Sequence, residues 1–152
     1  KTYHKIANEF IGSFSFHFKT INSLDDSDVI ISERINLSGS KLRGFESGKI
    51  GPKDNLDYIG GNYASAVTLA TTLPNVLPSL QNVDFNLFLD MGNVWGVDYN
   101  DSLNINQIRS AAGIAVDLLT PIGPLNFVIA KPIAKANTDK TESFRFDLGT
   151  TF

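Results

Sequence analysis

Residues 8 to 21 alternate between apolar and polar character. Phe10, Gly12, Phe14, Phe16 and Phe18 fall on one face, and Ser13, Ser15, His17 and Lys19 on the other. Successive side chains of a β-strand point to opposite faces, so a period of two predicts a strand. A face rich in phenylalanine backed by a polar face must put the aromatic side against something apolar. That something is either a second sheet or the hydrocarbon of a membrane.

The alternation recurs along the chain. Residues 62 to 73 put Tyr63, Val67, Leu69 and Leu73 on one face and Ala64, Ala66, Thr68 and Ala70 on the other. Val83, Phe85, Leu87 and Leu89 alternate with Asp84, Asn86, Phe88 and Asp90. Residues 108 to 119 set Ile108, Ala112, Ile114, Val116 and Leu118 against Arg109, Gly113 and Asp117. Leu125, Phe127 and Ile129 then oppose Asn126, Val128 and Ala130, and Phe144, Phe146, Leu148 and Phe152 alternate with Arg145, Asp147 and Gly149. The pattern predicts an all-β chain of about six antiparallel strands, several near the ~10 residues that a tilted membrane crossing needs. As drawn, no apolar face carries Lys, Arg, Asp or Glu, which matters because a basic residue at mid-bilayer costs about 2–4 kcal/mol. The connections run long, short, long, short, long. Outer-membrane barrels have long outer loops and short periplasmic turns, so this order places both termini on the periplasmic side. A soluble β-sandwich also alternates, with shorter strands and more stray charges on its buried faces.

Residues 24 to 59 break the pattern. Within them Gly39, Gly44, Gly48, Gly51 and Pro52 surround Leu42-Arg43-Gly44-Phe45. A compact domain rarely keeps so long an irregular stretch unless it has a task. An arginine between glycine and aromatic neighbours suits a guanidinium held by a partner. The acidic group Asp25, Asp26, Asp28 lacks the spacing of a calcium loop and reads as a solvated surface. Composition excludes other classes. The net charge of −3 comes with no basic block, which argues against nucleic acid as a partner. The chain has no cysteine, hence no disulfide and no thiolate metal site. Its mean hydropathy of −0.03 is compatible with a membrane barrel, whose signal hydropathy windows miss. His4 and His17 are the only histidines, with no nucleophile or acid arranged around either in sequence. No phosphate-binding loop is present, so neither enzymatic activity nor a cofactor is expected.

The chain resembles the BamA/TamA outer-membrane assembly and translocation superfamily, in its C-terminal barrel. The likeness rests on an ordered set. It runs from Leu42-Arg43-Gly44-Phe45 and Ile50-Gly51-Pro52 through Gly60-Gly61-Asn62 to Asp90-Met91-Gly92-Asn93-Val94-Trp95. Ser110 to Ala115, Thr120-Pro121-Ile122-Gly123-Pro124-Leu125 and Asp139-Lys140-Thr141-Glu142 follow, leading into Phe144 to Phe152. Leu42 stands where the family usually has valine, and Ala70 where a second inner-wall acid is usual. The resemblance implies that residues 1–152 form about the last six strands of a barrel of about sixteen. It implies an inward-folded loop over residues 24 to 59 and a closing strand over residues 143 to 152. The first strand is then an open edge.

It further implies that Arg43 reaches an acid on the inner wall. Asp90 is the expected partner, with Asp84 and Asp117 as alternatives. Phe144, Phe146, Leu148, Gly149 and Phe152 read as the signal that ends such barrels, and Tyr63, Trp95 and Phe152 as interface aromatics. The implied function is folding and insertion of β-barrel proteins into the bacterial outer membrane by strand addition at the seam between first and last strands. Implied partners are membrane lipid, nascent outer-membrane β-barrel proteins, upstream POTRA domains and assembly lipoproteins. A TamA-type or two-partner secretion pore is the alternative within the superfamily. A passive porin-like or structural barrel, or a soluble β-domain, is the alternative outside it.

Overall fold

A computed structural model describes residues 1–5, 10–25, 27–74, 76, 82–121 and 123–149. Seven strands form one antiparallel sheet in the order β1-β2-β5-β6-β7-β8-β9. They are β1 (Thr2–Lys5), β2 (Ile11–Thr20), β5 (Tyr63–Leu73), β6 (Val83–Trp95), β7 (Arg109–Thr120), β8 (Gly123–Ala134) and β9 (Phe144–Leu148). Two further strands, β3 (Lys53–Asp54) and β4 (Asp57–Tyr58), make a small hairpin inside the long loop. Neighbours in sequence are neighbours in the sheet, and β1 and β9 are its two edges. The sheet is a barrel wall that has not closed.

One strand lies beyond the six that the alternation predicts. Residues 2 to 5 pair with β2, Thr2 opposite Phe14 and Lys5 opposite Ile11. So β2 is not the open edge; the four residues of β1 cover part of it. Too short to show a period of its own, β1 exists because β2 offers unpaired backbone groups. Within the long loop, the stretch from Val29 to Leu37 forms a 3₁₀ turn (Ile31–Glu33) and one isolated bridge between Ile35 and Gly61.

Register sorts the side chains into two faces. Phe14, Leu69, Leu89 and Ala112 share an outer row, as do Phe16, Val67 and Met91. The outer face stays exposed: Phe16 by 59%, Ile129 by 65%, Phe144 by 57%. A monomer in water does not leave so large an apolar face uncovered. The inner face is small or polar. Ser15, Thr68, Asp90 and Ala111 form one inner row, and Ala70, Phe88, Gly113 and Ala130 another. One expectation fails on the outer face. Strand β8 runs on to Ala134 and places Lys131 opposite Ala112, so the outer wall does carry a basic residue. It lies toward the loop end of β8, where an aliphatic stem can lift an ammonium to the interface.

The core lies between the inner wall and the loop. Leu37, Leu42, Phe45 and Ile50 from the loop pack on Ala64, Ala66, Val94 and Ala111 from the wall. Small wall residues leave the space that the loop's large ones fill. Full burial of each such side chain contributes about 1.5–3 kcal/mol.

Candidate functional site

The loop enters from Thr20 and returns at Tyr63, crossing the inner wall near its middle. On that wall Arg43 meets Asp90. Nε donates to Asp90 Oδ2 at 2.7 Å and Nη2 to Oδ1 at 2.9 Å. The Arg43 backbone N–H donates to Oδ2 at 3.0 Å. Asp90 is fully buried, while the Arg43 side chain keeps 16% of its surface. A fork-to-fork pair of this kind combines two charge-assisted bonds with a fixed orientation. The guanidinium also stacks on Phe88, 3.4 Å from the ring centroid. Phe88 and Asp90 alternate onto the inner face of β6, so that strand supplies both the charge and the platform.

Gly44 explains why the motif reads Arg-Gly-Phe. Its φ is +90°, and a Cβ there would stand 2.8 Å from the Cβ of Ala111 and 3.3 Å from that of Ala130. The backbone therefore lies flat against the wall, turning Arg43 one way and Phe45 the other. Phe45 is 1% exposed and Leu42 2%.

Asp84 and Asp117 take no part. They face each other three inner-face rows from Asp90, at the short-turn end of the wall. Asp117 instead accepts from Asn86 at 2.8 Å and from the amide of Asn126. Position 70, read as the place of a second inner-wall acid, faces Phe88; Thr68 is the residue opposite Asp90. Phe144, Phe146 and Leu148 all point outward from β9, and Phe146 packs on Phe127 at 5.0 Å between ring centroids. Gly149 follows the strand with φ +105°. Tyr63 and Trp95 stack at 5.8 Å on the outer face at the loop end. Phe152 and Asp26 lie outside the described residues.

Three more ion pairs surround the loop that spacing in the sequence did not reveal. Arg109 and Asp139 are both fully buried and joined by two bonds of 2.9 and 3.0 Å. Arg34 lies 3.6 Å from Asp98. Asp98 also accepts from Val29 N at 2.8 Å and from the Asn62 amide. Burial pushes the Asp98 carboxyl upward, but these donors and the Arg34 charge outweigh it and hold the group below its ordinary value. The third pair, Arg145 with Glu142, joins the last strand to its own connection. The only hint in the sequence was Asp139-Lys140-Thr141-Glu142, a compact charged run before the closing strand. Among the described residues no group of acids and histidines is placed to hold a metal ion.

The model of the Omp85 superfamily domain matches residues 1–152, the full length of the chain. The chain belongs to the Omp85 superfamily. It is similar to the outer membrane protein assembly factor BamA of Neisseria meningitidis serogroup B, 33% identical over 141 aligned residues, covering 73% of this chain and 17% of that protein. A SAM50-like protein of Schizosaccharomyces pombe is 26% identical, covering 91% of this chain and 26% of its own length. Among solved structures, BamA from Haemophilus ducreyi lacking POTRA domains 1–3 superposes with a TM-score of 0.84 and 30% identity. That match covers 95% of this chain and 32% of the other. The chain thus spans between a sixth and a third of the length of these Omp85 relatives.

Proposed function

We propose that this chain is the closing part of the barrel of a BamA-like outer-membrane protein assembly factor in the bacterial outer membrane. One observation carries the reading: a loop pinned to the inner wall by Arg43 and Asp90 lies beside an edge strand, β9, that among the described residues pairs over five positions. An edge strand presents unpaired N–H and C=O groups, and an incoming strand can bond to them. The outward Phe144, Phe146 and Leu148 keep that edge in the lipid band, where client strands must arrive. No covalent chemistry, nucleotide or metal enters this scheme; the work is exchange of backbone hydrogen bonds. Nascent β-barrel proteins are the clients, and POTRA domains with assembly lipoproteins are the periplasmic partners. The names of the relatives favour assembly over a secretion pore. The exposed outer face disfavours a soluble β-domain.

The test is complementation. Cells depleted of the natural protein receive Arg43→Ala, and the folded fraction of a reporter porin is measured by its heat-modifiable mobility. A several-fold fall is expected while the variant barrel itself remains folded in the membrane. Reporter folding at the wild-type level would refute the reading.

A further inference from the structure

The loop and the last strand are joined by contacts that the Arg43–Asp90 pair does not require. Phe45 and Thr141 form an antiparallel bridge. Around it Glu142 N donates to Gly44 O at 3.0 Å, Glu46 N to Lys140 O at 3.1 Å, and Lys140 N to Lys49 O at 3.1 Å. Residues 44 to 49 therefore pair with residues 140 to 142, just before β9 begins. Arg145, the second residue of β9, continues the contact from the strand side. Its Nε donates to Glu142 Oε2 at 2.8 Å, and its Nη2 donates to the Phe45 carbonyl at 3.4 Å. The guanidinium occupies the space above Gly39: a Cβ on that glycine would stand 1.7 Å from Nη1. A cation of the edge strand is thus seated in the loop, two residues from Arg43.

The rest of β9 has less to hold it. Among the described residues it makes five register pairs with β8, whereas β7 and β8 make eleven. Past Leu148 one backbone bond, Gly149 N to Pro124 O at 2.9 Å, remains among the described residues. A strand with so few bonds opens locally at low cost, and contacts at its first residues weigh heavily. Glu142 is three residues from Arg145 and stays beside it whether or not the loop is docked. The Phe45 carbonyl and the hollow over Gly39 exist only when it is.

We propose that Arg145 is a positioning residue that makes pairing of β9 conditional on the docked loop, so that the Arg43–Asp90 pair and the free strand edge act as one unit. Linkage is reciprocal: undocking the loop loosens β9, and drawing β9 away loosens the loop by the same factor. The inference rests on the assembly reading for its use, which is to decide when the edge is open to a client strand. The coupling itself is a property of the barrel alone.

Hydrogen exchange read by mass spectrometry on the natural protein in lipid nanodiscs tests it, with no client present. Asp90→Asn is expected to speed exchange across β9 about tenfold, within the usual 5–150-fold range of such couplings. Arg145→Gln is expected to speed exchange of residues 44 to 49 to a similar degree. The double variant should exceed neither single one, since both break the same unit. Gly39→Val, which displaces the guanidinium without removing its charge, should reproduce Arg145→Gln and serves if that variant does not fold. An Arg145 that merely braces β9 would give additive effects. Additivity, or β9 exchanging at the wild-type rate in Asp90→Asn, overturns the proposal. If coupling is absent while Arg43→Ala still blocks porin folding, this inference falls alone. If coupling is present and porin folding is untouched, the assembly reading falls alone.

Discussion

At the scale of single residues, the loop is held by one carboxylate and one missing side chain. Asp90 takes three hydrogen bonds from Arg43 under full burial. Removing it leaves the guanidinium stacked on Phe88 without its carboxylate partner. Asp90→Ala is expected to lower stability by about 3–5 kcal/mol, the usual cost of breaking a buried pair. Urea unfolding of the natural protein in detergent measures it. Arg43→Lys should recover little, because an ammonium cannot match both carboxylate oxygens in one plane. The glycines separate conformational strain from steric fit. Gly44 and Gly48 both have positive φ, +90° and +67°. A Cβ on Gly48 meets nothing closer than Asn36 at 3.8 Å, whereas on Gly44 it strikes Ala111 at 2.8 Å. Alanine at position 48 therefore carries only the left-handed cost, about 1–2 kcal/mol. Alanine at position 44 adds about 1–3 kcal/mol of overpacking. Comparing unfolding midpoints of the two variants checks the order.

At the scale of elements, the loop is anchored at its entrance as well as its tip. Asp98, between β6 and β7, ties down Val29, Arg34 and Asn62. Its carboxyl is held below the ordinary value of 3.8. A group whose folded pKa is depressed adds stability above its unfolded pKa and loses it as pH falls through the folded one. The entrance anchor is therefore intact at neutral pH and fails only below pH 3.8. Exchange of the Val29 amide, followed with falling pH and corrected for intrinsic rate, should lose protection there in the wild type. In Asp98→Asn protection should already be reduced at pH 7, with no further change on acidification. Loss of Val29 protection in the wild type at pH 5 to 6 would contradict this assignment.

For the whole molecule, the apolar surface faces outward and the polar and small surface inward, the reverse of a soluble domain. Leu87 sits mid-strand on the outer face between Thr71 and Ile114. Leu87→Arg is expected to destabilise the barrel folded in lipid vesicles by about 2–4 kcal/mol, the cost of a basic group near the bilayer midplane. Lys131→Leu should change stability by less than about 1 kcal/mol, because the native ammonium already reaches the interface through its stem. Urea titration of vesicle-folded protein distinguishes the two. A Leu87→Arg variant as stable as the wild type would mean the outer face does not meet hydrocarbon.

Period-two alternation by itself determined strand at residues 10 to 20, 63 to 73, 83 to 90, 109 to 119, 125 to 130 and 144 to 148, and which face of each is apolar. That information is local: a strand's two faces are written in consecutive residues, and a slip by one would turn Phe14, Phe16 and Phe18 inward. Only the tertiary structure decided the partners. Arg109 with Asp139, Arg34 with Asp98 and Phe45 with Thr141 are brought together by register and loop path, which no spacing along the chain encodes. The short β1 and the outward Lys131 belong to the same class, since a strand's extent depends on which neighbour offers it hydrogen bonds. The meeting of Arg43 with Asp90 needed both: a motif that marks the arginine, and a wall of alanines and glycines that leaves room for it.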